Sequence, residues 1–313
     1  MNDGRPTVLV TGASGFVGRH ALPLLERNGW AVRRAVRTAP EGANDVKISS
    51  IGPTTNWRDA LAGVDAVVHL AARVHHQDEE HAIELYHNVN VGGTLHLARA
   101  AIAAGVRDFV FVSTILVHGR SNDGRPPFRE SDVLTPRGLY GMSKAAAEVG
   151  LRELAQGSGM RVTVIRPPLI YGAGAKGNFA LLERAVKSGV PLPLANINNR
   201  RAFLSVQNLA AFILYRLTHP GLDFDVFLVA DSEQVSTPQF IERLAHAAHT
   251  APRLFWMPAP LLSTLLNISG RSEANDSLFG SLELDLSKIA AIGWRAPVSL
   301  DEGLRLALDH TAS

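Results

Sequence analysis

The stretch VLVTGASGFVGRH, Val8 to His20, decides the fold. A run of strand character leads straight into three glycines, Gly12, Gly15 and Gly18, and these open a helical pattern that reaches about Asn28. Glycine lacks a Cβ, so it permits a tight turn and lets backbone approach a ligand closely. A helix that starts at such a turn aims its unpaired N–H groups and the positive end of its dipole at an anion. Strand, glycine turn and helix in this order mark a dinucleotide-binding unit, with a pyrophosphate resting on the helix N-terminus. Phe16 and Val17, set among the glycines, are expected to touch the same cofactor. A nucleoside triphosphate loop is disfavoured, because no Gly-Lys-Ser/Thr follows.

Downstream, short runs rich in Val, Ile and Phe alternate with longer helical patterns: AVRRAV, AVVHLAA, the helical NVNVGGTLHLARAAIAAG, DFVFVST, a helix opened by Tyr140, and RVTVIRPP. Strands separated by helices imply a parallel sheet covered on both faces, an α/β doubly wound Rossmann fold whose ligands bind at the carboxyl ends of its strands. After Pro168 the chain turns to loops rich in Gly, Pro and Asn, with strand-like AFLSV and VFLVA further on. The expected division is a dinucleotide-binding domain over 1–168, with chain returning around 203–231, and a smaller mixed α/β lobe over 169–313 that binds substrate.

The second strand identifies the dinucleotide. An NAD site usually has Asp or Glu there for the ribose 2′-hydroxyl, about 20 residues beyond the glycines. No acid lies between Glu26 and Glu41, and AVRRAVRT ends in Arg37 and Thr38. Arg33 and Arg34 sit near the strand's start, some 10 Å or more from the ligand edge at about 3.3 Å per residue. Arg37 is the candidate for a 2′-phosphate, so NADP(H) is favoured and NAD(H) remains the alternative.

In LYGMSKAAAE, residues 139–148, Tyr140 and Lys144 lie one turn apart on one helix face. A phenol keeps its proton up to about pH 10, and a cation beside it favours the phenolate, so the pair can trade protons. Hydride transfer at a carbonyl needs a proton donor on the oxygen and a second hydroxyl to position it. Tyr140 and Thr114, at the end of FVFVST, can supply both.

The 313 residues carry a net charge of +2 and no cysteine. This balance gives no reason to invoke nucleic acid, excludes thiolate chemistry and cysteine metal sites, and is compatible with a reducing cytoplasm. MNDGRP at the start lacks a signal pattern, and no apolar run approaches the roughly 20 residues of a membrane helix. The histidines of HLAARVHHQDEEH (His69, His75, His76, His81) fit no zinc-ligand spacing, so no metal is expected.

Together, TGASGFVG, VVHLAA, NVNVGGT, VSTILVHG, YGMSK, RPPLIYG, RRAFLSVQNLA and DLSKIAAIGW resemble, in order, the extended short-chain dehydrogenase/reductase family of nucleotide-sugar epimerases, dehydratases and reductases. The resemblance covers nearly the whole chain. It implies catalytic roles for Thr114, Tyr140 and Lys144, with Lys144 also holding the nicotinamide ribose, and makes Leu70, Ala71, Ala72, Asn90 and Pro167 cofactor neighbours. It implies that Asn178 and Arg201 hold the nucleotide-sugar, Arg201 as a diphosphate clamp, with Ser113 and His75 beside the sugar. The family's 4,6-dehydratases follow the threonine with Asp-Glu; Ile115 and Leu116 stand here, which disfavours dehydration and leaves hydride chemistry at one sugar carbon. His118 replaces a tyrosine common in the family, either tuning substrate fit or packing below the pocket.

The segments RPPLIYGAGAKGNF and PLPLANINNRRAFLSVQNLA are most similar to bacterial surface-polysaccharide enzymes. These include reductases of UDP-4-keto-6-deoxy-N-acetylhexosamine that form UDP-N-acetylquinovosamine, and relatives labelled UDP-glucose 4-epimerase; an NAD-retaining UDP-hexose or UDP-N-acetylhexosamine 4-epimerase is the alternative reading. The reductase is the favoured reading. A dinucleotide-sensing regulator is the alternative from another class, although such proteins typically lose the tyrosine or lysine. By analogy, apolar helices near residues 90–104 and 143–156 suggest a homodimer.

Overall fold

The computed structural model describes residues 4–74, 82–258, 261 and 279–309. They form two compact units, the first of residues 1–119, 133–167 and 209–228, the second of 120–132, 168–208 and 229–313.

The first unit is built on a seven-stranded sheet: β1 (Thr7–Thr11), β2 (Ala31–Val36), β3 (Asp45–Lys47), β4 (Ala66–His69), β5 (Asp108–Val112), β6 (Arg161–Arg166) and, later in the chain, β9 (Phe224–Leu228). Their spatial order is β3-β2-β1-β4-β5-β6-β9 and every pairing is parallel. β1 and β4 are buried along their whole length, as strands with both faces covered must be, which is why they read as unbroken apolar runs. Strand order reverses beside β1, where this class of sheet binds its ligand. The helices of this unit include α1 (Phe16–Arg27), α2 (Arg58–Leu61), α3 (Ala82–Tyr86), α4 (Thr94–Ala103) and α5 (Gly138–Ala155). Leu9, Val67, Phe109, Leu97, Leu151 and Val162 meet in its core.

NVNVGGTLHLARAAIAAG, expected as one helix, is interrupted. A π-helical segment, His87–Gly93, joins α3 to α4. Its two glycines are required by close neighbours: a Cβ on Gly93 would stand 2.7 Å from Ile51 Cγ2, and one on Gly92 2.8 Å from Pro53 Cγ.

In the second unit, β7 (Leu169–Tyr171) and β8 (Phe203–Ser205) pair in parallel, so AFLSV belongs here while VFLVA supplies β9 of the first unit. The helix α6 (Asn178–Lys187), then α8 (Thr237–Ala247), α9 (Ser287–Ala291) and α10 (Leu300–Leu308), are among its described helices, and its core gathers Tyr171, Phe179, Phe203, Phe240 and Leu304. The intervening α7 (Val206–Thr218) runs into β9. Residues 120–132, placed by the sequence reading in the first domain, group with this unit. Asn122 N–H donates to the Ser281 carbonyl and Phe128 N–H to that of Glu283, each at 2.9 Å.

Candidate active site

The turn between β1 and α1 has the shape a pyrophosphate requires. Gly12 adopts a left-handed φ of 72°, and a Cβ there would lie 2.8 Å from the Ala71 nitrogen. Gly15 N–H closes the turn on the Gly12 carbonyl at 2.9 Å. A Cβ on Gly18 would collide with the carbonyl oxygens of Gly12 and Ala13, so only glycine lets α1 pack this near the turn. No side chain caps α1, which leaves its first-turn N–H groups to an anion. Phe16 and Val17, half-buried, form its first turn. Leu70, Ala71 and Ala72, also half-buried, follow β4 alongside: Leu70 N–H reaches the Thr11 carbonyl at 3.2 Å and Ala71 N–H the Thr11 hydroxyl at 3.4 Å. These residues fit a dinucleotide.

The arginines around β2 are sorted by the structure. Arg34 forms a two-pronged ion pair with Asp45 (2.5 and 2.8 Å), and Arg33 donates to the carbonyls of Ala60 and Ala62 (3.0 and 2.6 Å). Arg37, exposed just past the strand, has no ion pair among the described residues.

Thr114 and Tyr140 reach the site from β5 and α5. Thr114 is buried in extended backbone, and its hydroxyl accepts from Leu116 N–H at 3.3 Å, capping a 3₁₀ turn over Ile115–Val117. Pro167 takes the Ile115 N–H at 2.8 Å. Lys144 is 1% exposed; its Nζ donates to the Val112 carbonyl at 2.8 Å and lies 4.3 Å from the Phe111 ring centre and 5.9 Å from that of Tyr140. Burial lowers the Lys144 pKa to about 7, against the opposing pull of Glu148. Desolvation pushes the Tyr140 phenol well above its ordinary value, with Tyr86 adding to it, although the residue keeps some surface. The sequence reading had Lys144 lowering this phenol; here burial dominates, and Tyr140 stands as a protonated acid able to give a proton to a developing oxyanion.

Asn90 and Ser113 make their hydrogen bonds within the protein. Asn90, on the π-helical segment, is buried; it accepts Arg73 N–H (2.8 Å) and donates to the Arg73 carbonyl (3.1 Å) and the Ser143 hydroxyl (3.0 Å). Ser143 in turn donates to the Tyr140 carbonyl at 2.8 Å, so Asn90 joins the loop after β4 to the first turns of α5. Ser113, expected beside the sugar, is buried and donates to Glu148 at 2.5 Å. Glu148 is held by Arg166, and Arg166 also meets the buried His118. The reading from sequence missed Ser143, Glu148 and Arg166. One signal was present: Glu148 continues the 140, 144 spacing on a face otherwise rich in alanine.

In the second unit, Asn178 is the exposed first residue of α6, next to Gly177 in left-handed backbone. Arg201 is half-buried, tied by its backbone to Val235 (2.9 and 3.1 Å) and by its guanidinium to the Gly280 carbonyl (2.5 Å). His75 lies outside the described residues. Among the described residues, no group of His, Asp and Glu could hold a metal ion, and no helix is long and apolar enough to cross a membrane.

Comparison with known proteins agrees with this fold. The model of the NAD dependent epimerase/dehydratase family matches residues 8–230. A UDP-glucose 4-epimerase of Vibrio cholerae is 37% identical, over 96% of this chain and 93% of its own. The Thermus thermophilus UDP-glucose 4-epimerase, solved with NAD, is 26% identical with a TM-score of 0.73, covering 97% of this chain and 98% of that one. RMD from Pseudomonas aeruginosa, solved with NADPH, is 25% identical with a TM-score of 0.72 and the same coverage. The glycine turn, the parallel sheet and the Thr-Tyr-Lys set thus have one explanation: the chain belongs to the NAD-dependent epimerase/dehydratase family, the extended short-chain dehydrogenase/reductases that act on nucleotide sugars with NAD(P).

Proposed function

We propose that the chain moves a hydride at C4 of a UDP-linked sugar, and that its net reaction is NADPH-dependent reduction of a UDP-4-keto-6-deoxy-N-acetylhexosamine for surface polysaccharide. The observation that carries the reductase reading is Arg37: β2 ends without an acid, its other two arginines are engaged, and Arg37 remains to pair with a 2′-phosphate. A reductase exchanges its cofactor every turnover, which suits NADPH.

Bound nicotinamide supplies the hydride. Tyr140, held in its protonated form, gives the proton to the ketone oxygen, and the Thr114 hydroxyl hydrogen-bonds the same oxygen. Lys144 holds the nicotinamide ribose. Arg201 and Asn178 take the nucleotide-sugar, Arg201 at the diphosphate. Met142 and Val149, exposed on α5, offer apolar surface to a second copy in a homodimer.

A second reading has its own support in the Vibrio cholerae relative, named as a UDP-glucose 4-epimerase. An epimerase returns the hydride it takes and gains by keeping NAD. Nucleotide released from purified protein, with NADH and NADPH affinities for wild type and Arg37→Ala, separates the two. The reductase should purify empty and prefer NADPH by about tenfold or more, the worth of one charge-assisted contact, and lose that preference in the variant. Retained NAD, with affinities indifferent to Arg37→Ala, makes the epimerase the answer.

A further inference from the structure

Arg166 ends β6 at 3% exposure, and a guanidinium shut away from water needs acceptors for its N–H groups. Glu148, equally buried, supplies one side: Nε lies 3.1 and 3.2 Å from its two oxygens, and a terminal nitrogen 2.6 Å from Oε2. His118, 1% exposed, supplies another through Nε2 at 2.7 Å. Because a guanidinium only donates, Nε2 must be bare, and His118 in this arrangement is the neutral tautomer with its proton on Nδ1.

This chain of groups brackets Thr114. Ser113, before Thr114, is tied to Glu148, and His118, closing the 3₁₀ turn that Thr114 caps, is tied to Arg166. Glu148 sits on α5 in the 140, 144, 148 series, the face of Tyr140 and Lys144. The turn also abuts this helix, since a Cβ on Gly141 would stand 2.9 Å from the Leu116 carbonyl oxygen. The Thr135 hydroxyl, donating to the His118 carbonyl at 2.6 Å, holds the turn's far end. A buried ion pair is weak evidence of net stabilisation, so the arrangement calls for a reason besides stability.

We propose that His118 is a positioning residue: by accepting from Arg166 it holds the turn that carries Thr114 against the Tyr140–Lys144 face of α5, setting where the two hydroxyls converge on one oxygen. The convergence rests on the hydride-transfer reading above; the tie between turn and helix does not.

The test uses the full chain with His118→Phe, which removes the acceptor, and His118→Gln, whose amide oxygen can restore it. Lysine Nζ titration by NMR, with the Lys144 resonance assigned by its absence in Lys144→Met, needs no substrate. Loosening the turn admits water around the ammonium. His118→Phe should therefore raise the Lys144 midpoint by about one unit or more towards its ordinary value, and His118→Gln should return it to near wild type. With a UDP-sugar that the wild type turns over, His118→Phe should lower kcat about ten- to a hundredfold while KM changes by less than about threefold, and His118→Gln should recover most of it. A folded His118→Phe with Lys144 and kcat unmoved, or a His118→Gln as damaged as His118→Phe, overturns the proposal. If the phenylalanine variant does not fold, His118→Asn, too short to reach Arg166, takes its place with the same expectations. Should wild type turn over no UDP-sugar, the hydride-transfer reading falls, and the Lys144 titration still decides the role of His118.

Discussion

Lys144 shows how much one buried charge can say about a site. With a folded-state pKa near 7 against an ordinary 10.5, its charged form is disfavoured by the fold. Between those values the unfolded chain holds a proton that the folded one has released, so stability rises with pH across the window; below about 7 the penalty applies in full. Lys144→Met removes the penalty together with one hydrogen bond to Val112. We expect it to stabilise the protein by on the order of 3 kcal/mol at about pH 6, with the gain shrinking as pH rises and giving way, near pH 10.5, to a loss of about 1 kcal/mol for the missing hydrogen bond, while turnover is lost. Urea denaturation at a series of pH values measures this, and a pH-independent difference between variant and wild type would mean that Lys144 is not desolvated as described. The spacing of Tyr140 and Lys144 could be read in the sequence because one turn of helix brings them together. Glu148 continues that spacing, but its burial could not be read: an acid on a helix reads as solvated, and what makes it internal is Arg166, on a strand that local sequence does not connect to it.

The same contrast recurs among the elements. Strand and helix order was legible, since a strand covered on both faces must be apolar throughout and the glycine turn announces the helix after β1. The π-helical interruption was hidden, because Ile51 and Pro53, which crowd its glycines, come from a distant segment. His69, at the end of β4, joins these elements: Nδ1 lies 2.6 Å from the Thr11 hydroxyl on β1, and Nε2 3.0 Å from that of Thr94 on α4. Burial, with Lys144 adding to it, lowers its pKa from 6.5 to about 3, so folded His69 stays neutral while the unfolded chain takes a proton as pH falls through that interval. Stability is therefore lost on acidification below about 6.5, and between pH 6.5 and 5 wild type should lose about 2 kcal/mol more than His69→Gln. Parallel pH slopes for the two proteins, measured by denaturation, would remove His69 from the acid response.

At the scale of the molecule, the sequence marked a change of rhythm after Pro168 but not that residues 120–132 join the second unit, because their partners at 281–285 lie far along the chain. Each unit has its own core and its own share of the candidate residues. The glycine turn, Arg37 and the Thr114–Tyr140–Lys144 set belong to the first; Asn178 and Arg201 belong to the second. If the roles proposed for them hold, the two halves of the chemistry are addressed by different ligands. NADPH alone should slow hydrogen exchange in peptides spanning 7–20, 69–74 and 137–146, and UDP alone should slow it around 177–187 and 199–205. A ligand at one hundred times its Kd stabilises what it binds by about 2.7 kcal/mol, which corresponds to roughly a hundredfold slowing where exchange requires the bound region to open. Exchange mass spectrometry with each ligand separately reads this directly. Protection by UDP confined to the first unit would remove Asn178 and Arg201 from the nucleotide-sugar site, and protection by NADPH that spares residues 7–20 would remove the glycine turn from the cofactor site.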